Sequence, residues 1–399
     1  MNAFTLSSEQ LARTIGAACA DEVARRFDRH YDFLTIASWS EETPLGDGGL
    51  GLKSAEVDAC AERAASFFGV PNDTLTRQKD LTIADWVREM ADAVSEQLTT
   101  FTFKAAARDE ATATHRHDAD EVYQAAAAAA NLLYGRRRLL SLVAPHSLLG
   151  FALTVLTPNL QRIESVDVRG ATPEQLSETM SFGDVLVATP TLWRYVMREE
   201  LRAPDNTMAV SFGEPMTRDL AASMRRAGFG VMREIYGSTE SGLVGWRDAP
   251  EEPFVMFDHW RKSGEEFTRI APNGDERCVP PMDRLEWRGD RGFCLLGRRD
   301  GAVQIRGVNV FPEAVAATMR DHKTIDQCTV RVGRRGDGVR RLIAHIVLKK
   351  GKRPTDRIAR EIDLYCRSKL RQEERPRIYR FEASLSNIAA PLDDAEGED

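Results

Sequence analysis

Glu234-Ile-Tyr-Gly-Ser-Thr-Glu240-Ser-Gly-Leu-Val-Gly-Trp-Arg247 is the stretch on which the reading of the fold turns. It begins within an apolar run, Val231–Ile235, and places an aromatic, two hydroxyls and a carboxylate directly after it. Upstream lie three more runs of that kind, Leu139–Ala144, Asp184–Ala188 and Met208–Phe212, separated by amphipathic stretches such as Thr217–Ala227. This alternation predicts parallel strands with helical crossovers, an α/β domain over residues 99–299. Downstream, Cys328–Val332 and Leu342–Leu348 flank a polar turn, and Thr355–Leu370 sets Ile358, Ile362, Tyr365 and Cys366 on one helical face. Residues 300–399 therefore read as a small α+β domain that ends in an acidic, disordered tail, Asp393–Asp399. Residues 1–98 read as a helical segment, with helices over Glu9–Phe27, Ser54–Phe68 and Thr82–Leu98.

The 399 residues carry 54 Lys and Arg against 61 Asp and Glu, a net charge of −7. Nothing global attracts nucleic acid or an anionic membrane, so small molecules or other proteins are the expected partners. Cys19, Cys60, Cys278, Cys294, Cys328 and Cys366 form no Cys-x-x-Cys, which suits reduced structural thiols rather than a disulfide framework or a zinc site. The first ten residues have no basic and then apolar run, so a cytoplasmic location is expected. Leu139–Leu156 is apolar enough to imitate a membrane span. Pro145, His146, Ser147 and Gly150 interrupt it, and a buried strand, a turn and a buried helix fit it better.

The stretch at 234–247 resembles the Tyr-Gly-x-Thr-Glu motif of the AMP-forming acid ligases, the superfamily of acyl- and aryl-CoA synthetases, peptide-synthetase adenylation domains and luciferases. The resemblance implies that Tyr236 stacks on adenine, Thr239 contacts phosphate and Glu240 holds the Mg²⁺ that bridges ATP phosphates. A second segment, Leu296-Gly-Arg298-Arg-Asp300-Gly-Ala-Val-Gln-Ile-Arg-Gly307-Val-Asn-Val-Phe-Pro-Glu313, resembles the hinge of that family. It assigns a nucleotide contact to Arg298, the domain pivot to Asp300 and, by spacing to Arg298, the ribose hydroxyls to Asp283. Val143-Ala-Pro-His146-Ser-Leu-Leu-Gly150-Phe151 is similar to the segment beside the acyl pocket, which gives His146, with Gly237 and Ser238, to the acid. Gly213-Glu214-Pro215 resembles the loop along adenine. Taken together these phrases look most like the branch with coronafacate, aryl-polyene and 4-coumarate-type ligases. The implied fold is a layered α/β large domain with a small swinging α+β domain. The implied reaction activates a small carboxylic acid with ATP for CoA, a carrier protein or an amine, in a secondary-metabolite or aryl/acyl activation pathway.

Two phosphate-handling elements depart from the family. Counting back from His115, the phosphate loop corresponds to Phe103-Lys-Ala-Ala-Ala-Arg-Asp-Glu-Ala111, which has none of the glycines, hydroxyls or terminal lysine that wrap phosphates. The family's C-terminal lysine is missing near Pro391, and no lysine follows Lys369. These losses point to a ligase fold impaired in adenylation, possessing its nucleoside-side residues. Two other readings stay open: an active ligase that grips phosphates with Lys104, Arg108 or arginines of the small domain, and a noncatalytic subunit that binds a pathway enzyme or carrier protein. Leu50-Gly-Leu-Lys-Ser54-Ala-Glu-Val57 is similar to the modified turn of acyl carrier proteins, but Lys53 and Ala55 depart from it. A helix N-cap at Ser54 is preferred to phosphopantetheine attachment.

Overall fold

The computed structural model describes residues 6–105, 113–198, 201–305, 308–334 and 340–385. The tail and residues 106–112 of the altered phosphate loop lie outside them. α1 (Ser8–Phe27) starts at a reciprocal cap: the Ser7 hydroxyl accepts from the Gln10 N–H, and the Gln10 side chain accepts from the Ser7 N–H. After the short α2 (Phe33–Ala37) come α3 (Ser54–Phe67) and α4 (Ile83–Gln97), both packed on the buried face of α1. Lys53, not Ser54, is the capping position of α3. The Glu56 carboxylate accepts the Lys53 N–H at 2.8 Å, so the terminus is satisfied from inside the helix and Ser54 is an exposed first-turn residue.

β1 (Thr100–Ala105) and β2 (Ala113–Asp118) pair with each other and lead into α5 (Ala119–Leu132). β3 (Arg138–Ser141) is shorter than the Leu139–Ala144 run because the Ser141 hydroxyl bonds to both the N–H and the C=O of Val143 and turns the chain. α6 (Leu148–Phe151) then continues through a π-helical turn (Ala152–Leu156) into α7 (Thr157–Gln161). The Thr154 hydroxyl donates to the Gly150 carbonyl, while the Thr154 carbonyl accepts from Arg13 Nη2 at 2.6 Å and from Ser165 Oγ at 2.7 Å. Diverting a backbone carbonyl in this way widens a helix locally. No helix among the described residues is long and apolar enough to cross a membrane.

β4 (Glu164–Asp167), α8 (Pro173–Thr179), β5 (Val185–Ala188), α9 (Pro190–Arg198), β6 (Met208–Phe212), α10 (Arg218–Arg226) and β7 (Val231–Ser238) complete the expected alternation. The strands β4-β3-β5-β6-β7 are parallel, and β8 (Gly242–Arg247) and β9 (Phe254–Met256) extend the sheet antiparallel. β10 (Trp260–Ser263), β11 (Glu266–Ile270) and β12 (Glu276–Val279) make a separate antiparallel sheet. The hairpin of β13 (Asp283–Arg288) and β14 (Gly292–Arg298) joins the large sheet at β9.

By packing, the chain divides into two compact units, one running through Lys104, Thr114–Pro281 and Trp287–Cys294, the other taking Met282–Glu286 and Leu295 onward. The N-terminal helices, read from the sequence as a segment of their own, share the first unit with the sheet. Their Phe67 ring lies 5.2 Å from Phe103 and 5.1 Å from Phe151, and Lys104 pairs with Glu22 of α1 at 2.5 Å. In the second unit, β15 (Val303–Ile305) and β16 (Val308–Val310) precede α11 (Pro312–Arg320) and a sheet of β17 (Ile325–Arg334), β18 (Arg340–Leu348) and β19 (Ile378–Phe381). α12 (Asp356–Lys369) buries Ile362 and Cys366 in its core, on the face the sequence marked. All six cysteines are free.

Candidate active site

Within the first unit, the loops that carry the sequence-marked residues leave the carboxyl ends of neighbouring parallel strands, where open α/β sheets place ligands. β6 and β7 pair Phe212 with Ile235, so Gly213 and Tyr236 emerge side by side. The Tyr236 ring packs 5.3 Å from Phe293 and 5.6 Å from Phe254. Gly237 follows because the hairpin closes on it: a Cβ there would stand 2.3 Å from the Gly242 carbonyl. The β7–β8 pairing shifts at that point and the Ser238 and Ser241 hydroxyls bond across the turn at 3.0 Å. Thr239 and Glu240 form the tip.

One contact fixes that tip from outside. His117 of β2, buried, donates from Nε2 to the Thr239 carbonyl at 2.7 Å. Burial pushes its pKa below the ordinary histidine value, helped by Arg277 and His115 and opposed by the Thr239 bond and Glu240, so the ring is neutral at pH 7. In the sequence His115 served only to place the altered loop. Alternation places both histidines on one face of β2, and the half-buried His115 leaves the contact to His117.

Gly213 adopts a left-handed φ of +91° that its neighbours could not hold. Glu214, expected along adenine, turns its buried carboxylate to the Thr191 hydroxyl at 2.8 Å and to Arg194 at 3.6 Å; Pro215 is exposed. A residue without a role in the sequence reading buttresses both loops. Glu234 accepts from the Met216 N–H at 3.0 Å and from Arg247 at 2.7 Å, with its pKa raised by burial against the pull of Arg247.

His146 precedes Ser147, whose hydroxyl caps α6 by accepting from the Gly150 N–H. Its Nε2 lies 3.6 Å from Asp21 of α1. Burial lowers the His146 pKa against the opposing Asp21 charge. Burial also acts to raise that of Asp21, but His146 and Arg25 outweigh it and hold the carboxyl low.

The residues expected at a hinge, Arg298 and Asp300, with Asp283, lie in the second unit. Arg298 grips Asp300 through Nε at 3.0 Å and Nη2 at 2.5 Å, and Asp300 also accepts the Ala302 N–H. The Asp283 carbonyl accepts from Arg299 at 3.2 Å. Arg108, Asp109 and Glu110 of the altered loop, and Pro391, lie outside the described residues. Among the described residues no three metal-binding side chains gather. Glu240 alone fits a Mg²⁺ whose other ligands are phosphate oxygens and water, the usual way this ion is held.

No family model matches the chain. It is 30% identical over 309 residues to a 4-coumarate–CoA ligase of Halorhodospira halophila, covering 77% of this chain and 78% of that one. A 4-coumarate–CoA ligase of Cereibacter sphaeroides is 28% identical over 317 residues, 76% and 73% of the two chains. An amide bond synthetase from Marinactinospora thermotolerans superposes with a TM-score of 0.61 at 13% identity, over 96% of this chain and 92% of that one. A malonyl-CoA ligase with methylmalonyl-CoA and AMP bound gives 0.59 at 14% identity, over 72% and 71%. With the Tyr-Gly-x-Thr-Glu hairpin built at the end of a parallel strand and a relative of this identity over most of its length, the chain belongs to the AMP-forming acid ligase superfamily.

Proposed function

We propose that the protein binds an adenosine nucleotide and a small carboxylic acid and forms the acyl adenylate slowly, as a ligase that has kept the nucleoside side of its site and lost much of the phosphate side. The observation that carries this reading is the Lys104–Glu22 pair: the one basic side chain in the described part of the altered loop is already engaged, at 2.5 Å. The active alternative in which Lys104 grips phosphate loses support accordingly. Missing one preorganised donor costs about 10²–10³ in rate, and each lost hydrogen bond to a charged phosphate about 1.5–3 kcal/mol. Tyr236 offers an aromatic face for adenine and Thr239 a hydroxyl for the α-phosphate. Mg²⁺, when bound with ATP, would neutralise phosphate charge, and Glu240 is the carboxylate placed to hold it. The names of the relatives make a hydroxycinnamate-type acid and CoA the first substrates to try.

The test is a thermal-shift titration with AMP, ADP and Mg·ATP, followed by pyrophosphate release with a mixed pool of aryl and acyl acids. We expect AMP to stabilise as much as Mg·ATP and release to run at least about a hundredfold below an intact ligase assayed alongside. A much larger shift with Mg·ATP, together with release at the intact enzyme's rate, overturns the impairment.

A further inference from the structure

Several arginines in this chain meet carboxylates through the edge formed by Nε and Nη2. Arg29 holds Glu56 that way at 3.1 and 2.8 Å, and Arg233 holds Asp248 at 2.7 and 2.8 Å. Arg63 on α3 differs. It is 2% exposed, its Nη1 donates to the Thr102 carbonyl at 3.1 Å, and its guanidinium lies 5.3 Å from the centre of the Phe67 ring. Neither Nε nor Nη2 has a partner among the described residues. That edge is the one that takes a carboxylate bidentately, and buried charged donors are rarely left unsatisfied.

Among the described residues the nearby acids are engaged elsewhere. Asp21 accepts from Arg25 Nε through both oxygens at 2.8 Å, and Glu22 holds Lys104. Arg25, Arg63 and Lys104 against Asp21 and Glu22 leave one positive charge in excess, with His146 neutral. His146 Nδ1 is a second buried polar atom without a partner, and its ring and the Arg63 guanidinium both lie within electrostatic reach of Asp21. Around it the His146 side chain is 29% exposed, Lys104 24% and Arg25 22%.

We infer that Arg63 and His146 form a recognition site for a second carboxylate, so that the acid this protein takes is a dicarboxylic acid. This rests on the ligase reading, through the acyl-side position of His146. Binding of matched pairs to the full-length protein tests it: 4-carboxycinnamate against cinnamate and adipate against hexanoate, by calorimetry at fixed ionic strength, with acetate and chloride as free-anion arms. One diacid is expected to bind about tenfold or more tightly than its monoacid, the worth of one charge-assisted pair. Arg63→Met removes that margin, Arg63→Lys keeps part of it, and both retain the AMP affinity of the wild type, which reports an intact fold. Equal binding of diacid and monoacid in both pairs, or a margin that survives Arg63→Met, overturns the site. An Arg63-dependent effect that acetate or chloride reproduces overturns the assignment to the substrate. If AMP fails to bind the wild type while the Arg63-dependent margin persists, the ligase reading falls and the carboxylate site stands.

Discussion

Among the described residues Thr239 is held at its carbonyl, by His117. Replacing His117 with Leu leaves that carbonyl without its donor, a loss of about 1–3 kcal/mol when buried. AMP affinity is expected to drop about tenfold, with His117→Gln, which retains an N–H at similar reach, recovering most of it; calorimetry on the two variants decides. Glu240→Gln is expected to leave AMP binding intact and to remove the Mg²⁺ dependence of ATP binding, read by titrating ATP with and without the ion. The hairpin that carries Tyr236, Thr239 and Glu240 was legible in the sequence because it is local. His117 and Glu234 were not. Their partners lie 122 and 18 residues away, and neither strand pattern nor composition marks which of two like-facing histidines will touch the turn.

At the level of elements, sequence and structure agree where one face of a segment decides it. Met208–Phe212 is a strand with the limits its apolar run gave, and α12 buries the face marked at Ile362 and Cys366. They part where a side chain bonds to backbone: Ser141 ends β3 early, and Glu56 takes over the start of α3 from Ser54. The π-helical turn was equally hidden, because Arg13, which captures its carbonyl, lies 141 residues earlier. Phe151 belongs to the ring cluster that joins α3, β1 and α6. Phe151→Ala is expected to cost about 3–5 kcal/mol, seen as a fall in the urea midpoint without loss of cooperativity.

At the scale of the whole molecule, one buried histidine ties stability to pH. Burial pushes His259 down to about 3 from an ordinary value of 6.5, with Arg269 adding to the effect. The unfolded chain therefore takes up a proton first. The stability from keeping this ring neutral is whole above about pH 6.5 and drains as pH falls towards 3, by up to about 1.4 kcal/mol per pH unit. Urea midpoints measured from pH 7 to pH 4 should decline along that slope, and His259→Gln should flatten it; a wild-type curve level over that range would contradict the assignment. The division into units was only partly legible. The small α+β part follows from its own periodicity, whereas the helices of residues 8–97 carry no sequence sign that their partners are in the sheet.

The bond from Arg13 to the carbonyl of Thr154 has a consequence during synthesis. Arg13 emerges from the ribosome 141 residues ahead of Thr154, and at roughly 5–20 residues per second that carbonyl takes on the order of ten seconds to arrive. Throughout that interval α1 has only α3 and α4 to cover Leu11, Ile15 and Val23, and its Arg13 side stays unmatched, the surface a chaperone would hold.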